Sequence, residues 1–262
     1  VMNELSTNYL QLVLILKLLK YNVVSITTFF LGVIMKRRYK LLLIIVIGAA
    51  LTILINFITV KSLVNLVSIG DGFSLGMTPY NVAGPSFNDY LKDKLENKNK
   101  LDSYNNEFSK AHLTIHELNE YMEDNTLGKF TRNPIKQTIA SADIITLSIG
   151  LDEFADLSLQ NNLTTEKMEN YISEVEKFLQ TIREFYDKKI IIVGLYPAYK
   201  FDQSDAYEIN NNLKKLAGKY NCQFLDITAY YLNDEYYLDK TSYYLNYKAH
   251  QLIAENLFTM LN

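Results

Sequence analysis

Asp71, Asp152 and Glu153 are the residues of this 262-residue chain that type and spacing best equip for chemistry. Each follows a short apolar run that closes on a glycine. Leu63 to Ile69 leads into Gly70-Asp71-Gly72, and Asp143 to Ile149 leads into Gly150-Leu151-Asp152-Glu153. In an open α/β sheet, ligands favour the crevice beyond the carboxyl ends of neighbouring strands, so the three carboxylates could converge there. Three hard oxygen donors would suit Ca²⁺ or Mg²⁺. The plainer reading gives Asp71 to turn hydrogen bonds and leaves Glu153 in water. Ser74 is either a displaced hydroxyl nucleophile or a hydroxyl capping the turn. His112 and His116 are four residues apart, one face of a helix, and could ligate a metal or act as a base. No further ligand pattern accompanies them, so an exposed pair is the simpler account. His250, beside Lys248 and Gln251, reads as a partly exposed helix residue. Tyr230-Tyr231, Tyr236-Tyr237 and Tyr243-Tyr244 combine flat apolar faces with hydroxyls, which suits a sugar-lined cleft or ordinary loop packing.

Strands and helices must alternate to position these groups. Leu63–Ile69, Asp143–Ile149, Lys189–Leu195 and Gln223–Ile227 are β-branched or apolar runs, with a weaker strand over Leu101–Phe108. Between them, helical periodicity covers Ser86–Glu96, Leu113–Met122, Asn133–Ala140, Thr164–Tyr186, Tyr207–Tyr220 and Asn246–Met260. Met168, Tyr171, Ile172, Val175, Phe178, Leu179, Ile182 and Phe185 form the widest apolar stripe. This alternation predicts a parallel sheet covered by helices on both faces.

A hydrophobic content of 48% and charged content of 21% support a packed core rather than disorder. A net charge of −3 supplies no electrostatic footprint for nucleic acid. The single cysteine, Cys222, excludes an intramolecular disulfide and a multi-cysteine zinc site, and its apolar neighbours suggest an inert buried thiol. Gly70-x-Gly72 lacks the later glycine of a dinucleotide loop, Leu75 standing there, and no phosphate-loop motif occurs, so no cofactor is expected. Leu41 to Val60 carries no charge and is long enough to span a bilayer. Lys36-Arg37-Arg38 and Lys40 precede it and only Lys61 follows, which predicts a membrane anchor with everything after Val60 on the extracytoplasmic side. Residues 1–34 form an apolar extension interrupted by Lys17 and Lys20, either a first membrane helix or sequence upstream of a start at Met35. The expected organisation is therefore 1–34, an anchor over 35–61, and a domain over 62–262, with the lipid bilayer as one partner.

The landmarks of that domain, taken in order, resemble the SGNH (GDSL) hydrolases. They are Gly70-Asp71-Gly72 after the first strand, Gly150-Leu151-Asp152-Glu153 after a later one, Gly194-Leu195-Tyr196-Pro197, and Asn246-Tyr247-Lys248-Ala249-His250 opening the last helix. The resemblance spans roughly 63–260 and implies a flavodoxin-like three-layer α/β/α domain with a parallel sheet of about five strands. It also implies ester hydrolysis by a serine, a histidine and an aspartate, with an oxyanion hole built from the serine N–H, a glycine N–H and an asparagine amide. This sequence departs at those positions. Gly72 replaces the serine, Asp152 the asparagine, Tyr244 the histidine and Thr241 the aspartate, while His250 falls at a family tyrosine. The oxyanion glycine would lie near Ser109-Lys110, where there is none.

Losing the nucleophile or base of such a unit costs about 10⁶ in turnover. The expected function is thus a membrane-anchored, non-catalytic relative that binds an envelope saccharide or acyl ligand through Asp71, Gly72, Ser74, Asp152, Glu153 and Tyr244. The alternative is an active carboxyl-ester hydrolase, an esterase, lipase or glycan deacetylase, using Ser74.

Overall fold

The structure is a computed structural model that describes residues 45–50, 63–80, 82–197, 201–229, 234–237 and 243–261. The chain divides into two compact units, Val1–Lys61 and Ser62–Asn262. Of the first, residues 45–50 are helical. The rest of the expected anchor and the whole 1–34 extension lie outside the described residues. Among the described residues no helix is long and apolar enough to cross a membrane.

The second unit is built on five parallel strands: β1 (Val64–Gly70), β2 (Leu101–Ser109), β3 (Ile144–Ser148), β4 (Lys189–Val193) and β5 (Gln223–Leu225). Their order is β2-β1-β3-β4-β5, the flavodoxin-like order, whose topological switch lies between β1 and β3. All five residues of β3 are buried, as expected of a central strand covered on both faces. Edge strand β2 is half exposed and rich in Asp, Asn and Ser, which explains its weak sequence signal. Register does the positioning. Gly70 pairs with Ser148 on one side and Ser109 on the other, so β1, β2 and β3 end level and their following loops meet.

The helices are α1 (Phe87–Asn97), α2 (Ile115–Glu123), α3 (Ile135–Ser141), α4 (Leu151–Leu159), α5 (Thr165–Arg183), α6 (Gln203–Lys219) and α7 (Tyr247–Leu261). Capping boxes start two of them. Ser86 and Asp89 open α1, and Thr114 and Glu117 open α2, each satisfying two otherwise orphaned N–H groups. Helix α1 packs on α7, while α2 and α6 pack on α5, giving three layers. The stripe of α5 buries Met168, Tyr171, Val175, Phe178, Leu179 and Ile182, each large side chain contributing about 1.5–3 kcal/mol.

Two elements differ from the sequence expectation. Helix α6 starts four residues before Tyr207, because the Asp202 side chain accepts from the Ser204 N–H and caps an earlier turn. Helix α4 was not expected at all. It begins directly after Gly150, whose φ of +106° is open to glycine, and a Cβ there would meet the Tyr171 ring at 2.7 Å. Asp152 and Glu153 therefore sit in the first turn of a helix.

Candidate functional site: a filled oxyanion hole

Beyond β1 the chain folds into a tight turn held by its own polar groups. The Asp71 N–H donates to the Ser148 carbonyl (3.0 Å), extending the β1–β3 ladder by one residue. Asp71 then accepts from Phe73 N–H at Oδ1 (3.1 Å) and from Asp152 N–H at Oδ2 (3.2 Å). The Ser74 hydroxyl donates to the Asp71 carbonyl (2.9 Å) and is 1% exposed. Asn88 donates to the Ser74 carbonyl (3.2 Å) and accepts from the Thr146 hydroxyl (2.7 Å), tying the turn to β3. This geometry makes Ser74 a turn residue, its proton committed to the backbone.

At the centre stands Asp152. Its Oδ2 accepts from two backbone groups, the Gly72 N–H (2.8 Å) and the His112 N–H (2.9 Å). Two convergent backbone donors are the core of an oxyanion hole, and here a carboxylate of the same chain fills it. A Cβ on residue 72 would lie 2.6 Å from that oxygen and 3.1 Å from Met77 Cγ, so the space a nucleophilic side chain needs is already taken. The second donor comes from His112, two residues beyond Lys110 and not a glycine. With φ at +58°, His112 adopts the left-handed conformation that glycine favours, which turns its N–H inward.

Asp71 and Asp152 are 0% and 1% exposed, and among the described residues neither enters an ion pair. Burial, followed by the Asp152 charge, holds the Asp71 carboxyl well above the usual carboxylate range. Oδ1 of Asp152 is buried without a hydrogen-bond partner. Glu153 does not join them. Its Oε2 is buried without a hydrogen-bond partner, and burial raises its pKa. The three-carboxylate cation site considered from sequence is therefore not formed; among the described residues no group of three or more His, Cys, Asp or Glu side chains could hold a metal ion.

The histidines also depart from expectation. Helix α2 begins at Ile115, so His112 lies in the preceding turn and shares no helix face with His116. His112 Nδ1 is 3.1 Å from Asp156 Oδ2 at an exposed rim, while His116 lies 3.7 Å from both Glu120 and Glu174. His250 is buried, not partly exposed. Its Nδ1 accepts from the Phe87 N–H (3.1 Å), its ring stacks on Phe87, and burial lowers its pKa to about 4. It serves as a side-chain cap for α1.

Tyr244 is half-buried, with its ring centroid 4.2 Å from that of Tyr243 and the two hydroxyls 2.9 Å apart. Burial raises both phenols, and the charges of Asp152 and Asp156 act in the same direction. The Tyr196 hydroxyl anchors this segment through the Tyr243 carbonyl (2.6 Å). Thr241 and Tyr230-Tyr231 lie outside the described residues. A cavity of about 470 Å³ is lined by Leu75, Lys110, Tyr121 and Lys129 among others.

The sequence model of the GDSL-like Lipase/Acylhydrolase family matches residues 66–257. Among solved structures, the acetylxylan esterase Axe2 from Geobacillus stearothermophilus is similar at 15% identity and a TM-score of 0.59, over 78% of this chain and 96% of that one. The lipase Lip_vut3 from a goat rumen metagenome aligns at 17% identity and a TM-score of 0.61, over 75% and 96%. A lipase/acylhydrolase from Enterococcus faecalis aligns at 14% identity and a TM-score of 0.57, over 76% and 95%. At such identities the likeness is one of fold. No curated protein matches the chain.

Proposed function

This chain belongs to the GDSL-like lipase/acylhydrolase family, and we propose that it is a non-hydrolytic member, anchored in the membrane, that binds an extracytoplasmic envelope saccharide in the family cleft. The observation that carries this reading is the Asp152 carboxylate lodged between the Gly72 and His112 N–H groups. A developing oxyanion would find both donors engaged and a carboxylate oxygen in its place, and residue 72 offers nothing to attack with. The Ser74 hydroxyl is turned into the backbone rather than toward a base. Support for a saccharide comes from the paired rings of Tyr243 and Tyr244, since a tyrosine face packs against sugar C–H groups while its hydroxyl reaches sugar oxygens. Support for the anchor comes from the uncharged run Leu41 to Val60 behind a basic flank.

Labelling tests the non-hydrolytic reading. The full chain treated with a serine-directed fluorophosphonate is expected to remain unlabelled. Stoichiometric labelling that disappears in Ser74→Ala would overturn the reading and favour an active ester hydrolase.

A further inference from the structure

The filled hole has reversed its polarity, and the reversal bears on which form of a sugar fits. An acyl-sugar esterase must present hydrogen-bond donors where the acyl carbonyl oxygen lies. In this chain the two backbone donors there are spent on Asp152 Oδ2. What remains is Asp152 Oδ1, an acceptor on a side chain 1% exposed, with no partner of its own. A buried acceptor left unpaired carries a desolvation cost that a donor from a ligand would relieve. Asp156 adds a second carboxylate at the exposed rim. No lysine or arginine among the described residues pairs with Asp71, Asp152 or Asp156; the only basic side chain there is His112, already against Asp156.

We infer that the cleft recognises the deacylated form of a sugar, taking a protonated primary amine at Asp152 where an esterase relative would take an acyl carbonyl. This rests on the saccharide-binding reading above and sharpens it to the product side of deacylation. The ammonium supplies three donors and a positive charge to Asp152 Oδ1, and the neighbouring sugar ring lies along Tyr243 and Tyr244. An N-acetylated sugar carries an amide carbonyl to the same point, where it meets a carboxylate oxygen and no free donor. The class of reaction that supplies this ligand is therefore hydrolytic removal of N-acyl groups from a hexosamine polymer. Asp152 is 1% exposed and Tyr243 and Tyr244 are half-buried, so entry of the amine requires a side-chain rotation.

The test is calorimetric titration of the full chain in detergent with a tetramer of glucosamine and, separately, with its fully N-acetylated counterpart. The glucosamine tetramer is expected to bind at least tenfold tighter. Asp152→Asn keeps an oxygen for the two backbone donors but turns the free Oδ1 position into an NH₂ donor, so the preference is expected to vanish or reverse. Equal or tighter binding of the N-acetylated tetramer by the wild-type chain would overturn the inference and leave the saccharide reading standing. An ammonium preference that survives Asp152→Asn would also overturn it, assigning the preference to general surface charge. Failure of both tetramers to bind would bring down the saccharide reading itself.

Discussion

Asp152 Oδ2 lies 2.8 Å from the Gly72 nitrogen and 2.6 Å from the point a Cβ on residue 72 would occupy. The carboxylate and the missing side chain are complementary in shape. Eighty residues apart in sequence, they form one feature. Glycine at 72 admits the carboxylate, and the carboxylate satisfies the N–H that a catalytic turn would aim at an oxyanion.

That complementarity makes Gly72→Ser costly. The Asp152 oxygen is pinned by two N–H groups and cannot yield, so an overpacking penalty of about 1–3 kcal/mol is expected in urea unfolding. Combining it with Asp152→Ala frees the space. The two changes should then be non-additive by more than about 0.5 kcal/mol in the compensating direction. Strict additivity would show that the pair does not interact.

Asp71 reports on the same pair. Burial is the larger cause of its raised pKa and the Asp152 charge the next. In Asp152→Asn the second cause is gone, so the Asp71 carboxyl should titrate at lower pH, followed by the ¹³C shift of its carboxyl carbon. An unchanged midpoint would separate the two groups electrostatically.

The sheet and the location of the cleft were legible because β1, β3 and β4 are apolar runs ending at glycines or just before them. Edge strand β2 was faint because a half-exposed strand can carry Asp, Asn and Ser. Helix α4 spans nine residues, and its Leu151, Phe154, Ala155 and Ser158 periodicity was too short to stand out beside the strand before it. His250 carried a readable signal that its neighbours obscured. Its position matches the buried face formed by Ala249, Ile253, Ala254 and Leu257, whereas Lys248 and Gln251 lie on the outer side. The role of His112 had no such signal, since its donor is a backbone N–H and its left-handed φ is imposed by the tertiary fold. The sequence named Gly72 and Asp152 as departures from the family; that one fills the space left by the other depends on a side-chain direction that no spacing encodes.

The left-handed conformation of His112 gives a second stability test. His112→Gly removes the steric cost of φ +58° while keeping the N–H that holds Asp152, and it loses the exposed side-chain contact with Asp156. Stability should be unchanged or rise by up to about 1 kcal/mol. A marked loss would mean that the imidazole, rather than the backbone, supports the site.

His250 sets an acid-side dependence. Its imidazole titrates near 6.5 when unfolded and at about 4 in the fold, so between those values only the unfolded chain takes up the proton. Stability should be complete above about pH 6.5 and fall by about 1.4 kcal/mol per pH unit toward pH 4, about 3 kcal/mol in all. Asp71 works in the opposite sense. Its raised pKa lets the folded state hold a proton that the unfolded state releases above 3.8, so its contribution declines as pH rises. His250→Gln keeps an acceptor for the Phe87 N–H and removes the titration, so its urea midpoints between pH 4 and 6.5 should depend less steeply on pH than the wild type. Parallel curves would contradict the assignment.

The central claim, that this family cleft is filled rather than catalytic, is tested most directly by steady-state hydrolysis of 4-nitrophenyl acetate by the full chain. Loss of a nucleophile or base costs about 10⁶ in turnover, so the expected rate equals that of buffer for the wild type and for Ser74→Ala alike. Saturable turnover above buffer that Ser74→Ala abolishes would contradict the claim.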